Sequence, residues 1–422
     1  MLGKGFKLPH LSPSCSPACT RHSARPLPRV HATSVETTFQ TASQEAKLWT
    51  HVKIFFETPW KQPVLHGSIS GANWDDFPLH RVGSAPNRWS FCTLPVPQAP
   101  TTASAPLVEF VIRHGSKDEW NKPAQGGNYV IHAPGSYTIR SNAVQASEGT
   151  PVMVVSDLDG TMVGDDAATA AFRDWWEEEA VARGSGSVLV YNTGRSLDSF
   201  LGLIQEKGHC LAHPDALISA VGTKVYSFDG KSWREDEAWT AQLDKEWDLV
   251  AVRDAAYKAL TQAGRDNMHF RPKEELNQHK VTCGVRVEVL DSVLASLASS
   301  FADAGVQANV ITSGHGDWRF MDVVPIRAGK LEALQYVQGL YGFPTQQVVA
   351  CGDSGNDILM LQGNNPAVVV GNSQPDLVRW YTDQMKTEAN STSGPGGRAR
   401  LYLAPRHEAY SILEGVQYWN LK

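Results

Sequence analysis

The sequence predicts an α/β protein, built on a parallel sheet with an inserted α+β cap and preceded by a small all-β sandwich. Three observations carry this prediction. Buried-strand runs, V-M-V-V at 152–155, V-L-V-Y at 188–191 and V-V-A-C at 348–351, alternate with helix-spaced segments, the order that builds a parallel sheet. Each run ends in small and polar residues, D-L-D-G-T at 157–161, N-T-G-R-S at 192–196 and G-D-S-G-N-D at 352–357. Open parallel sheets place ligands at these carboxyl ends. Upstream, from residue 48 to about 145, short alternating runs are broken by Pro, Gly and Asn, as in a sandwich.

With 422 residues the chain has room for two or three domains, and 42% hydrophobic with 19% charged residues is a globular composition. A net charge of -6 gives no reason to expect a nucleic-acid partner. Cys15, Cys19, Cys92, Cys210, Cys283 and Cys351 form no C-x-x-C pair, so reduced thiols are expected. No apolar run approaches the roughly 18 residues of a spanning helix, so no membrane association is expected. Lys4, Lys7, Arg21, Arg25 and Arg29 precede the first acidic residue, Glu36, in a stretch rich in Ser and Pro. That pattern resembles an organelle transit peptide over residues 1–40 and implies a plastid location, at the stroma or the starch granule; the alternative is a disordered basic tail.

In the expected sandwich, V-K-I-F-F-E at 52–57, L-V-E-F-V-I at 107–112 and N-Y-V-I-H at 128–132 read as strands. Trp49, Trp60, Trp74, Trp89 and Trp120 are more indoles than so small a core holds, which predicts exposed rings suited to the C–H face of a sugar. The segments V-L-H-G-S-I-S-G-A-N-W and D-E-W-N-K-P-A-Q-G-G-N-Y resemble starch-binding modules. The resemblance implies starch or a related glucan as partner, with His66, Trp74, Trp120 and Asn128 as contacts. It departs from the family at N-K-P-A-Q, where a D-N-N-like run is usual. The alternative is an immunoglobulin-like module with its Trp residues in the core.

Residues 141–150 read as a linker. Asp157 and Asp159 then flank one residue, and carboxylates so placed repel unless a cation or proton separates them. A helix is expected over 167–182, and Thr193 at the second strand end can donate to a phosphate oxygen. A third strand over 216–221 leads to a hairpin-like interruption. Helical spacing over 237–263, a strand run over 280–289, a helix over 292–304 and strands over 308–312 and 318–323 suggest a cap at about 236–316, placed to close over the strand ends. Lys330 falls in the first turn of the next helix.

Taken in order, these motifs resemble the haloacid dehalogenase superfamily, with its Rossmann-like core, over 150–422. Within it, N-T-G-R-S at 192–196, I-S-A-V-G-T-K-V-Y at 218–226, H-K-V-T at 279–282, S-G-H-G-D-W-R-F-M-D-V-V-P at 313–325 and G-N-S-Q-P-D-L at 371–377 resemble the sucrose-phosphate phosphatase branch. The resemblance implies a sugar-phosphate substrate, with Asp157 as nucleophile and Asp159 as acid and base. It implies Thr193, Gly194, Arg195, Lys280, Lys330 and Asn356 around substrate and phosphate. Mg²⁺ would be held by Asp157, Asp353, the Asp159 main-chain carbonyl and Asp357, the last directly or through water. Lys280 and Asp322 are candidate sugar contacts in the cap. The chain departs from the branch at Gly160 and Met162, where D-L-D-N-T-W is common, and at A-P-R-H-E-A-Y-S-I-L-E-G-V, which replaces a Cys-containing helix start. Two other functions compete: a catalytically silent starch-binding protein, and a phosphatase acting on glucan-bound phosphate.

Overall fold

Strand Met153–Ser156 is buried along its whole length because both faces of its sheet carry helices, which is why four apolar or small residues follow one another there. In the computed structural model, which describes residues 50–81, 89–96, 106–146, 151–177, 187–228, 232–314, 316–387 and 393–421, this strand is near the centre of an eight-stranded sheet. Six strands run parallel: Ala216–Ser219, Val188–Asn192, Met153–Ser156, Val348–Gly352, Ala367–Val369 and Leu401–Leu403, in that spatial order. Lys224–Phe228 and Trp233–Glu235 extend the first edge antiparallel. The order reverses between Met153–Ser156 and Val348–Gly352, the crevice where such sheets bind ligands. Phe172, Phe200 and Ile412 fill one face of the sheet, and Trp239, Leu334 and Leu377 the other.

The inserted segment folds as a four-stranded sheet, Met268–Phe270, Val281–Arg286, Trp318–Pro325 and Ala308–Ser313 in spatial order, with helices Leu249–Ala263 and Val287–Ala304 packed on it. Two expectations are corrected here. Helical spacing over 237–263 is two helices, Glu237–Leu243 and Leu249–Ala263; Asp248 caps the second by accepting from the N–H groups of Val250 and Ala251. The cap also reaches beyond 316, since Trp318–Pro325 is an interior strand of its sheet.

Upstream, two sheets face each other across a core of Val52, Ile54, Leu94, Phe110 and Ile112. One contains Thr50–Glu57, Trp89–Val96, Gly135–Arg140 and Ala143–Ala146, the other Pro63–Ile69, Asp75–Pro78 and Val108–His114. Part of the expected linker is therefore a strand: Ala143–Ala146 pairs antiparallel with Gly135–Arg140. The expected leader at 1–40 and Trp49 lie outside the described residues.

The join is built, not loose. Lys53 Nζ leaves the sandwich and donates to Asp215 Oδ2 at 2.6 Å and to the Ser187 carbonyl. Asp215 also accepts from Thr93 Oγ1 at 3.2 Å and from the Leu189 N–H at 2.8 Å. His51 stacks on Tyr341 with ring centroids 4.3 Å apart, and Phe55 belongs to the same core as Phe172 and Trp176. The described residues accordingly form one compact unit.

Candidate active site

Asp157 follows the central strand directly, and its N–H still donates to the Cys351 carbonyl of the neighbouring strand at 2.9 Å, which fixes the nucleophile candidate at the sheet's reversal. Gly160 then turns with φ +79, and a Cβ there would fall 2.7 Å from Asp353 Oδ2, so no larger residue fits without displacing that carboxylate. Asp353 follows the adjacent strand. Asp157, Asp353 and Asp357 are buried, with ligand atoms within 4.8 Å of one another.

Lys330, the first residue of helix Lys330–Tyr341, donates to Asp157 at 2.8 Å, to Asp357 at 2.7 Å and to the Asn356 side-chain oxygen at 3.3 Å. Asn192 holds that helix start by donating to the Lys330 carbonyl at 2.8 Å. Burial alone would lower the pKa of the Lys330 ammonium, but Asp157 and Asp357 outweigh it and hold the group charged. Burial pushes Asp157 up to about 8 against the pull of Lys330, and burial with Asp357 nearby pushes Asp353 up to about 7. Full ionisation of three carboxylates beside one ammonium would leave two negative charges, so an all-oxygen donor set of this kind fits a divalent cation, which would favour the ionised forms that burial alone opposes. Among these carboxylates Asp357 is the most engaged: its second oxygen accepts from the N–H groups of Asp353 and Ser354 at 3.2 and 3.1 Å.

Asp159 points the other way. Its carboxylate is about half exposed and is gripped by Arg195 at both oxygens, at 2.8 and 2.7 Å. Thr193 and Gly194 lie just past strand Val188–Asn192, and with Asp157, Asp159 and Arg195 they line a cavity of about 700 Å³ whose opposite wall is the cap. Lys280 and Asp322 contribute to that wall as a buried ion pair at 3.3 Å, beside Asn277 and Phe320. The structure thus brings together Asp157, Asp159, Thr193, Gly194, Arg195, Lys280, Asn356 and Asp353 around one cavity, with Lys330 and Asp357 beneath it.

Sequence reasoning passed over Thr161, whose hydroxyl donates to Asp353 at 3.3 Å, and Asn372, whose amide donates to the Gly160 carbonyl at 2.7 Å. The first had a signal, since it ends the D-x-D-G-T run; the second sits in G-N-S-Q-P-D-L, where nothing local indicates its target. On the sandwich, His66 lies 5.2 Å from Trp74 and 6.2 Å from Trp120, ring centre to ring centre. Both indoles are exposed, at 40% and 45%. Asn128 is also exposed and donates to Glu109 at 2.7 Å.

A parallel sheet with an Asp-x-Asp at its reversal, a lysine at a following helix start and a cap inserted over the strand ends defines a haloacid dehalogenase-type domain. The chain belongs to the sucrose-6F-phosphate phosphohydrolase family, whose sequence profile matches residues 150–420. It is 29% identical over 287 residues to sucrose-phosphatase 2 of Nicotiana tabacum, covering 66% of this chain and 61% of that one. It is 29% identical over 271 residues to mannosylfructose-phosphate phosphatase of Agrobacterium fabrum, covering 64% of this chain and 97% of the relative. The chain therefore spans less than two thirds of the tobacco protein's length. The crystal structure of sucrose-phosphatase from Synechocystis sp. PCC6803, in complex with sucrose and phosphate, superposes with a TM-score of 0.53 at 28% identity, covering 64% of this chain and 98% of that one.

Proposed function

We propose that this protein is a Mg²⁺-dependent phosphatase of a small sugar phosphate, with sucrose 6F-phosphate the first substrate to try, and that its sandwich binds starch or a related glucan. The observation that carries the reading is Lys330 set between Asp157 and Asp357 at the sheet's reversal, beneath a cavity shared with the cap.

In this reading Asp157 attacks phosphorus. The bond from phosphorus to the sugar oxygen breaks as the Asp157–phosphorus bond forms, and Asp159 gives its proton to the leaving oxygen. Asp159 then takes a proton from the water that hydrolyses the aspartyl phosphate and restores the carboxylate. Lys330, the Thr193 hydroxyl and the Gly194 backbone hold the phosphoryl oxygens, with Asn356 orienting the ammonium. Arg195 holds Asp159 at the cavity mouth. Mg²⁺ bound by Asp157, Asp353 and the Asp159 carbonyl, with Asp357 bracing them, would spread positive charge over the phosphoryl oxygens. Lys280 and Asp322, on the cap wall, offer a donor and an acceptor to sugar hydroxyls. A cap over the mouth favours a free sugar phosphate over a phosphate on a long glucan.

His66, Trp74 and Trp120 make an aromatic platform for glucose rings, and Asn128 adds an amide near the same sheet. A plastid location accords with a starch partner.

Phosphate release measured across sucrose 6F-phosphate, mannosylfructose phosphate, hexose monophosphates and phosphorylated starch, with Mg²⁺ and with EDTA, tests the reading. A disaccharide phosphate preferred in Mg²⁺ and silence in EDTA are expected. No release from any small phosphate ester would overturn it.

A further inference from the structure

We infer that Glu408 is a positioning residue for the loop that carries the nucleophile, an inference that rests on the phosphatase reading above. Glu408 has φ 53 and ψ -138, a conformation that residues with a Cβ scarcely populate, at the start of helix Ala409–Tyr418. Its side chain makes no cap hydrogen bond to that helix. One carboxylate oxygen, Oε2, is buried and has no hydrogen-bond partner among the described residues. A helix start gains nothing from either feature, since Gly would begin it here without strain or a buried unpartnered oxygen.

What Glu408 does touch is the loop after the nucleophile, at both of its ends. Its N–H donates to Asn372 Oδ1 at 2.7 Å, and the Asn372 amide passes the contact on to the Gly160 carbonyl at 2.7 Å. Its carboxylate lies against Gly164, where a Cβ would overlap Oε1. Between these ends, Thr161 donates to Asp353, and the N–H groups of Thr161, Met162 and Val163 all turn back to the Leu158 carbonyl. The side chain is a wedge behind this turn, so strain at 408 keeps Thr161 and Asp353 in register with Asp157.

Two substitutions separate the wedge from mere stability. Both E408G and E408A remove the carboxylate, but only E408G relieves the positive φ. With p-nitrophenyl phosphate and Mg²⁺, both should lose kcat by about tenfold to a hundredfold, the scale of a small misplacement at a reacting centre, with little change in KM. E408G should nevertheless melt at or above the wild type, and E408A below E408G. Amide exchange at residues 161–164 should speed up in both. If kcat in E408G stays within twofold of wild type, or activity follows melting temperature from variant to variant, Glu408 is only a helix start and the inference falls. Should the wild type release no phosphate, the phosphatase reading fails by itself, and exchange at 161–164 still decides the wedge: faster in both variants supports it, unchanged refutes it.

Discussion

Replacing Lys53 by Met would cut the join between the sandwich and the α/β unit at its most costly point. The Lys53 and Asp215 side chains are each only 3% exposed, so removing the ammonium leaves a carboxylate in the interior. Breaking such a pair from one side costs about 3–5 kcal/mol. Asp215 would keep Thr93 and the Leu189 N–H as donors, and Met would refill the lysine stem, so the lower end, about 3 kcal/mol, is expected. Changing Asp215 to Asn in the same chain removes the stranded charge while an amide oxygen still accepts from Leu189. The double variant should therefore lie within about 1 kcal/mol of wild type. Guanidinium unfolding followed by tryptophan fluorescence measures both, as a single transition. A K53M loss below about 0.5 kcal/mol, or a double variant no better than the single, would refute the idea that this pair ties the two parts together.

Asp157→Asn should leave less than about one per cent of wild-type phosphate release, as expected for a lost nucleophile, while thermal stability holds or rises because one of three crowded carboxylates becomes neutral. Trp74→Ala with Trp120→Ala should lose most binding to insoluble starch in a granule pull-down and leave hydrolysis of a soluble sugar phosphate intact; retained binding in a folded protein would return these rings to a packing role. Burial lowers His51 from 6.5 to about 4, against the raising effect of Asp215 and with help from Lys53. Its folded form stays neutral where the unfolded chain already takes up a proton, so its stability is present above pH 6.5 and is lost as pH falls toward 4, by at most about 3 kcal/mol. His51→Phe keeps the stack on Tyr341 and should flatten that part of the stability–pH curve.

The α/β half was legible because its candidate site residues are local to strand ends. Asp157, Thr193, Lys330 and Asp353 each adjoin an apolar run or a helix start, and the order of those runs dictates which ends meet. The sandwich was legible only in part: three strands stood out by alternation, while Pro63–Ile69, Trp89–Val96 and Gly135–Arg140 carry Gly, Ser, Thr or Pro that blur it. The two helices read as one show the limit of periodicity, since Asp244 to Asp248 breaks the chain without a Gly or Pro to announce it. Lys53 was invisible for a different reason. Its partner is 162 residues away, and a lysine among alternating strand residues reads as a solvated head group until the fold buries it.

The shared core around Phe55 changes what anchoring to a granule would mean. A binding module on a slack tether lets the catalytic mouth sample every point within reach, and the gain is a raised local concentration. A module welded through Lys53, His51 and Phe55 has no such freedom, so whatever surface it grips sets the direction in which the mouth opens. A phosphate fixed to that same surface would be served only at one distance and angle. A free sugar phosphate, which tumbles and arrives from the solution side, is indifferent to the arm that holds the enzyme in place.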